Sequence, residues 1–179
     1  VMLPAMLFGS ISGNHLNPAV TLAQASAGVF PWAQVTPYII SQVLGAICGQ
    51  LLIITIYWPY IKKSTDSNIV FACFATSDCV NSKWNGFISE LVGTGVLMFV
   101  AIGLYKGMFF KQAVDIANIG VGFLITALVM ALGGPTGPAL NPARDFGPRL
   151  VYSILPIPNK KDAHWSYGWV PVVAPILGA

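Results

Sequence analysis

Long apolar stretches alternate with short polar segments along the chain, a pattern typical of membrane-spanning helices. A helix of about 20 mostly apolar residues is long enough to cross a bilayer. Spans are predicted at about 33–58, 85–105, 116–133 and 167–179. Residues 1–12 are also apolar but too short to cross, and Pro59 is predicted to begin a polar loop. The pattern therefore predicts an all-α membrane protein.

The composition agrees with this prediction and narrows the function classes. Of the 179 residues, 55% are hydrophobic and only 8% are charged, whereas an ordinary soluble domain has about 25% charged residues. The net charge of +3 is small and dispersed, which argues against a nucleic-acid partner. We expect no metal and no cofactor, and no nucleophile–base pair indicates an enzyme. Cys73 and Cys79 share a polar loop and could form a disulfide in an oxidising compartment.

An internal repeat divides the chain. Residues 12–21 (SGNHLNPAVT) and 136–145 (TGPALNPARD) align without a gap, and each is too short to cross the membrane. Three predicted spans lie between the two copies, and this odd number inverts the second copy relative to the first. Inverted repeats with short, interrupted apolar segments at matching positions indicate a binding site or pore near the bilayer midplane.

The Asn-Pro-Ala triplets of the two copies predict helix starts. Asparagine is a good helix cap, and proline at the first helical position loses no needed N–H. One copy alone would favour an ordinary cap; two copies in inverted repeats favour re-entrant half-helices, at about 17–28 and 141–153. Backbone carbonyls that precede the triplets are then expected to line the pore: Gly13, Asn14, His15, Ala139 and Leu140. Two half-helix N-termini at the midplane would repel cations.

The paired triplets Asn17-Pro18-Ala19 and Asn141-Pro142-Ala143 resemble those of the major intrinsic protein (aquaporin) family. The resemblance implies a single channel domain over 1–179, with the aquaporin-like inverted repeat and two re-entrant half-helices. It also implies a homotetramer with one pore per subunit and no cofactor. Compared with the family pattern, the chain is expected to lack helix 1, the start of helix 2 and the end of helix 6.

The family's selectivity filter is implied to include Arg144, Val129 and Pro138. Glycerol facilitators usually carry Gly and Phe where this chain has Val129 and Pro138. This departure predicts a wide constriction with a less apolar wall. Arg144 is expected to donate hydrogen bonds to solute oxygens and to repel cations; the alternative is an arginine that reaches out from a helix end.

Four other ionisable residues bear on the subgroup, on support of the loops and on the width of the pore. Asp145 is typical of glycerol-conducting members, and Arg149 follows four residues later, where a brace within the helix is expected. Glu90 lies within a predicted span and is expected to hold a re-entrant loop in place. His15 is expected either to pack within its loop or to narrow the pore.

The leading functional prediction is a passive channel for glycerol, related small neutral solutes and water that excludes ions and protons, in the plasma membrane. A strictly water-selective aquaporin is the alternative within the same class. A coupled secondary transporter is the alternative from another class, with Glu90 as its sole candidate acid. A structural membrane protein with a closed pore is a further alternative.

Overall fold

The computed structural model describes residues 1–106 and 114–179. Within these ranges the chain forms only helices and no strand. In chain order the helices are α1 (Met2–Ser12), α2 (Pro18–Ser26), α3 (Trp32–Lys63), α4 (Ser67–Ala72), α5 (Lys83–Lys106), α6 (Val114–Leu132), α7 (Pro142–Ile154), α8 (Trp165–Gly168) and α9 (Val170–Gly178).

Two of the described helices, α3 and α5, are long and apolar enough to cross a membrane. They have 32 and 24 residues, with mean hydropathies of 2.1 and 2.0 over their most apolar windows. Large apolar side chains on both helices are exposed, among them Leu52 at 67% and Phe99 at 81%. Apolar surface of this extent is typical of a helix that faces lipid.

The predicted loop that begins at Pro59 starts later than expected, because α3 continues through this proline to Lys63. Ile61 lies in this extension and is 5% exposed in an apolar cluster with Val70 and Phe71 of α4. The free energy gained by packing in this cluster offsets the cost of the backbone hydrogen bond that proline removes from the helix. The sequence did not predict α4, which is a short helix capped by the side chain of Asp66.

The region of the last predicted span forms two consecutive helices, α8 and α9, with Trp169 between them. In the loops, Cys73 and Cys79 are exposed free thiols rather than a disulfide.

The contacts between helices follow the pairing that the inverted repeat predicts. The half-helices α2 and α7 contact each other, and α1 contacts α6. Each half-helix also packs on a helix that follows the half-helix of the other repeat: α7 packs on α3, and α2 packs on α9. This arrangement brings the starts of α2 and α7 together in the interior of the protein.

Candidate solute pore between the two re-entrant loops

Each half-helix begins at an asparagine whose side chain caps the first turn. Asn17 has an extended backbone (φ −148°, ψ 120°), and its Oδ1 accepts a hydrogen bond from the Ala19 N–H at 2.9 Å. Asn141 has the same conformation (φ −154°, ψ 111°), and its Oδ1 accepts from the Ala143 N–H at 3.0 Å. A proline at the first helical position follows each asparagine. Both capping oxygens are therefore occupied, and both amide nitrogens point away from their own helices.

The two asparagines join the re-entrant loops to each other through reciprocal hydrogen bonds. Asn17 Nδ2 donates to the carbonyl of Leu140 at 2.7 Å, and Asn141 Nδ2 donates to the carbonyl of Leu16 at 2.9 Å. The leucines are equivalent positions of the repeat. Each side chain thus caps its own half-helix and holds the tip of the other loop, which fixes the two helix starts relative to each other.

The first re-entrant loop is held by neighbouring glutamines and aromatic rings. The carbonyl of His15 accepts a hydrogen bond from Gln42 Nε2 at 2.7 Å. The imidazole is 6% exposed, lies 3.0 Å from Gln24 Oε1 and packs against Phe30 and Tyr38. Of the two interpretations left open for His15, the structure favours packing within the loop.

The second re-entrant loop is held by one buried carboxylate. Glu90 of α5 is completely buried; its Oε1 accepts from the Ala139 N–H at 2.9 Å and the Thr136 hydroxyl at 3.0 Å. Its Oε2 accepts from the Leu140 N–H at 2.8 Å. A buried charge is tolerated when hydrogen bonds satisfy it, and these bonds orient the backbone at the loop tip. This geometry is the one expected for a supporting residue.

A cavity of about 690 Å³ runs past both asparagines between α1, α2, α5 and α6. It is lined by most residues of the predicted pore, namely Gly13, Asn14, Asn17, Val129, Pro138, Ala139, Leu140, Asn141 and Arg144. His15 instead lines a cavity of about 540 Å³ on the α3 side. The structure therefore brings the predicted filter residues and the two asparagines to one space.

Arg144 projects from the first turn of α7 with an exposed side chain. Its Nη1 donates a long hydrogen bond, 3.4 Å, to the carbonyl of Phe74. One weak contact leaves most of the five N–H donors of a guanidinium available. Arg144 can therefore offer hydrogen bonds and positive charge to whatever enters the cavity.

A family comparison decides what kind of protein has this arrangement. Residues 1–179 match the family model described as "Major intrinsic protein". The chain belongs to the major intrinsic protein family. The resemblance carried by the twin Asn-Pro-Ala triplets is thereby confirmed.

Similar members of the family are glycerol facilitators and an aquaglyceroporin. The chain is 66% identical over 179 residues to "Glycerol uptake facilitator protein-like 5" of Lactiplantibacillus plantarum, covering 100% of this chain and 72% of that protein. It is 45% identical over 178 residues to "Probable glycerol uptake facilitator protein" of Thermotoga maritima, covering 99% and 75%. The crystal structure of the aquaglyceroporin from Plasmodium falciparum matches with a TM-score of 0.86 at 30% identity, covering 99% and 73%. These matches confirm the aquaporin-like fold and the aquaglyceroporin subgroup.

Asp145 and Arg149 of this major intrinsic protein form a completely buried ion pair on α7. Arg149 Nε lies 2.7 Å from Asp145 Oδ1, and both side chains have no solvent exposure. The pair also reaches outside its helix: Asp145 Oδ2 accepts from the Thr76 N–H at 2.8 Å, and Arg149 donates to the carbonyls of Thr76 and Ala163 at 2.7 and 2.6 Å. It therefore ties two loops to α7, whereas the sequence predicted a brace within the helix alone.

Several polar contributors to this site were not assigned from the sequence. The Leu16 carbonyl was missed although the repeat places it opposite Leu140, so the alignment of the two copies contained the signal. Gln42 and Thr76 act through contacts with segments distant in sequence, which no local pattern reveals. Asn118 lies within a predicted apolar span and also lines the cavity, and an asparagine in such a span is itself a signal of interior hydrogen bonding.

Proposed function

We propose that this protein is a passive channel for glycerol, related small neutral solutes and water. The observation that carries the proposal is the reciprocal pair of hydrogen bonds by which Asn17 and Asn141 join two half-helix starts beside one cavity. A side-chain amide has two N–H donors, and the partner loop occupies one of them on each asparagine. The second N–H of each is assigned to the oxygen of a passing solute.

Exclusion of ions and protons follows from the same geometry. The N-terminus of a helix carries the equivalent of about half a positive charge, and the starts of α2 and α7 both meet the cavity. Arg144 adds a full charge on the same cavity wall. A cation entering this space loses its hydration and meets positive potential, whereas a neutral hydroxyl group exchanges water for protein hydrogen bonds.

Val129, Pro138 and Arg144 are proposed as the selectivity filter, because all three line the cavity. Valine and proline contribute short apolar side chains to the wall of the cavity that the guanidinium also lines. Such a constriction has apolar wall for a carbon backbone and donors for its hydroxyls, which suits a polyol. None of these three residues carries an aromatic or imidazole ring, which would narrow the passage to the size of water.

Glu90 argues against a coupled transporter. Coupling requires an acid that exchanges protons or binds ions as it is exposed in turn to each side. Glu90 is completely buried, and both of its oxygens already accept hydrogen bonds from the second loop. Its role in the proposal is structural, and passive permeation needs neither a cofactor nor catalysis.

Assembly as a homotetramer in the plasma membrane completes the proposal. Each subunit would contain its own pore, because the asparagines and the filter residues of one chain line one cavity. The exposed apolar faces of α3 and α5 supply surface for contact with lipid and with neighbouring subunits.

The first test is the driving force for flux. In proteoliposomes of the full-length protein, stopped-flow light scattering is expected to show glycerol equilibration that is unaffected by an imposed proton or sodium gradient, because both oxygens of Glu90, the candidate acid for coupling, are held by the second loop. Protein-free liposomes are the control. Accumulation of glycerol against its own gradient when a proton gradient is imposed would overturn the channel in favour of a transporter.

The second test is the width of the filter. Val129→His is expected to narrow the constriction and to lower the ratio of glycerol to water permeability by about tenfold, the effect of 1.4 kcal/mol on a rate. Val80→His is the matched control, since Val80 lies in an exposed loop. An unchanged ratio in Val129→His would show that Val129 is not part of the filter.

A further inference from the structure

A cluster of three polar side chains lies on the cavity at a distance from the filter. Asn14 of the first loop, Tyr105 near the end of α5 and Asn118 near the start of α6 all line it. Asn118 precedes Val129 by 11 positions of α6, which corresponds to about 16 Å at a rise of 1.5 Å per residue. The cluster therefore lies near the opposite end of the cavity from the filter.

Hydrogen bonds fix the geometry of this cluster. Asn118 is 2% exposed, and its Oδ1 accepts from the Tyr105 hydroxyl at 2.5 Å and from Asn14 Nδ2 at 3.2 Å. Asn14 has a left-handed backbone (φ 64°) and packs closely on Gly9, where an added Cβ would lie 2.5 Å from Asn14 Oδ1. Tyr105 and Asn14 thus both donate to one oxygen of Asn118, and these two bonds fix the orientation of the Tyr105 hydroxyl and of the Asn14 amide.

Acceptor capacity remains in the cluster after these bonds are counted. Asn14 Oδ1 is buried against Gly9 and out of reach of a solute, whereas Tyr105 is 40% exposed and lines the cavity. A phenol oxygen that donates its hydrogen still has lone pairs. A solute hydroxyl that approaches Tyr105 can therefore donate a hydrogen bond to the phenol oxygen, which Asn118 holds in place. The cavity wall also includes the apolar residues Met98 and Val121 and the charged Lys106, which follows Tyr105 in the chain.

We propose that Asn14, Tyr105 and Asn118 form a second selectivity site, which accepts hydrogen bonds from polyhydroxyl solutes as they enter or leave the pore. This inference rests on the proposed channel function and goes beyond it by adding a recognition site remote from Arg144. A polyol that fills the pore leaves no room for water beside it, so its hydroxyls depend on acceptors in the pore wall for their hydrogen bonds. Water in single file keeps hydrogen bonds to other waters, so it depends less on these acceptors.

The test is the permeability of Tyr105→Phe relative to wild type in proteoliposomes of the full-length protein. The glycerol-to-water ratio is expected to fall about three- to tenfold, the effect of one lost hydrogen bond on a rate. The loss is expected to grow from ethylene glycol to glycerol to erythritol, as the number of hydroxyls rises. Tyr60→Phe is the matched control, because Tyr60 is 72% exposed on α3 and does not line the cavity.

A second variant protects the test from a folding defect. Asn14→Gly keeps the left-handed backbone of this position and removes the hydrogen bond to Asn118, which holds Tyr105. The same order of losses is expected. Equal losses of water and polyol flux would show that the cluster only supports the loop. Water and polyol fluxes that both stay at the wild-type level would show that solutes do not use the cluster. Either result overturns the proposal. Absence of glycerol flux in wild type would refute the channel function itself before any variant is compared.

Discussion

Replacing Arg149 by Met is expected to destabilise the folded protein by about 3–5 kcal/mol, the cost of removing one partner from a buried ion pair. The variant leaves the carboxylate of Asp145 buried without its cation and removes the donor from the carbonyls of Thr76 and Ala163. Thermal unfolding in detergent, followed by size-exclusion chromatography, is expected to show a lower midpoint and loss of the folded peak.

Arg144→Met is the matched control for stability, because Arg144 lies on the same helix with an exposed side chain and one long hydrogen bond. Its midpoint is expected to stay close to that of wild type. The double variant Asp145→Leu, Arg149→Met is expected to regain part of the loss, since an apolar replacement of both partners removes the buried charge. Equal midpoints for Arg149→Met and Arg144→Met would contradict a structural role for the ion pair.

Replacing Asn17 by Asp is expected to reduce glycerol flux at least about tenfold while the protein still folds. Aspartate is also a good helix cap, so the bond from the Ala19 N–H is kept. A carboxylate has no N–H, so the hydrogen bond to the Leu140 carbonyl is lost. A carboxylate oxygen then faces this carbonyl oxygen in the place of the amide nitrogen, which lies 2.7 Å from it in the native protein. An unsatisfied buried acceptor costs about 1–3 kcal/mol, and 1.4 kcal/mol is a factor of ten in rate.

The added negative charge makes a second result observable. A carboxylate beside two half-helix starts cancels part of their positive potential, so some cation conductance is expected in planar bilayers. Asn85→Asp serves as the control, because Asn85 is exposed in the first turn of α5, away from the cavity. Normal glycerol flux in Asn17→Asp would mean that the asparagine is only a helix cap.

The sequence predicted the architecture largely through its repeat. Two Asn-Pro-Ala triplets and an odd number of intervening spans were enough to place two half-helices in inverted orientation, because capping and apolar length are local properties. The predicted end of α3 was wrong, because the packing of Ile61 against α4 outweighs the tendency of Pro59 to end a helix. Helix α4 was missed because its six residues are too few to show a period.

The candidate site was predicted where its residues belong to the triplets and their flanks. Val129, Pro138 and Arg144 were chosen from the family pattern, and the structure places them on one cavity. The supporting role of Glu90 was expected from its place within a predicted span, but the other supporting contacts were beyond reach, because they join positions far apart in sequence. Thr76 meets Asp145 across 69 residues, and Asn14 meets Asn118 across 104; nothing in either local segment specifies its partner.

The reciprocal asparagine bonds also set an order of assembly during synthesis. Asn17 and Leu140 are separated by 123 residues, and Asn141 and Leu16 by 125. The carbonyl of Leu16 and the amide of Asn17 have no partner until the second loop has been translated and inserted. Contacts of such long range form late, after the loop-closure entropy of the intervening chain has been overcome. The first half-helix therefore gains these two bonds only after the second loop is in place.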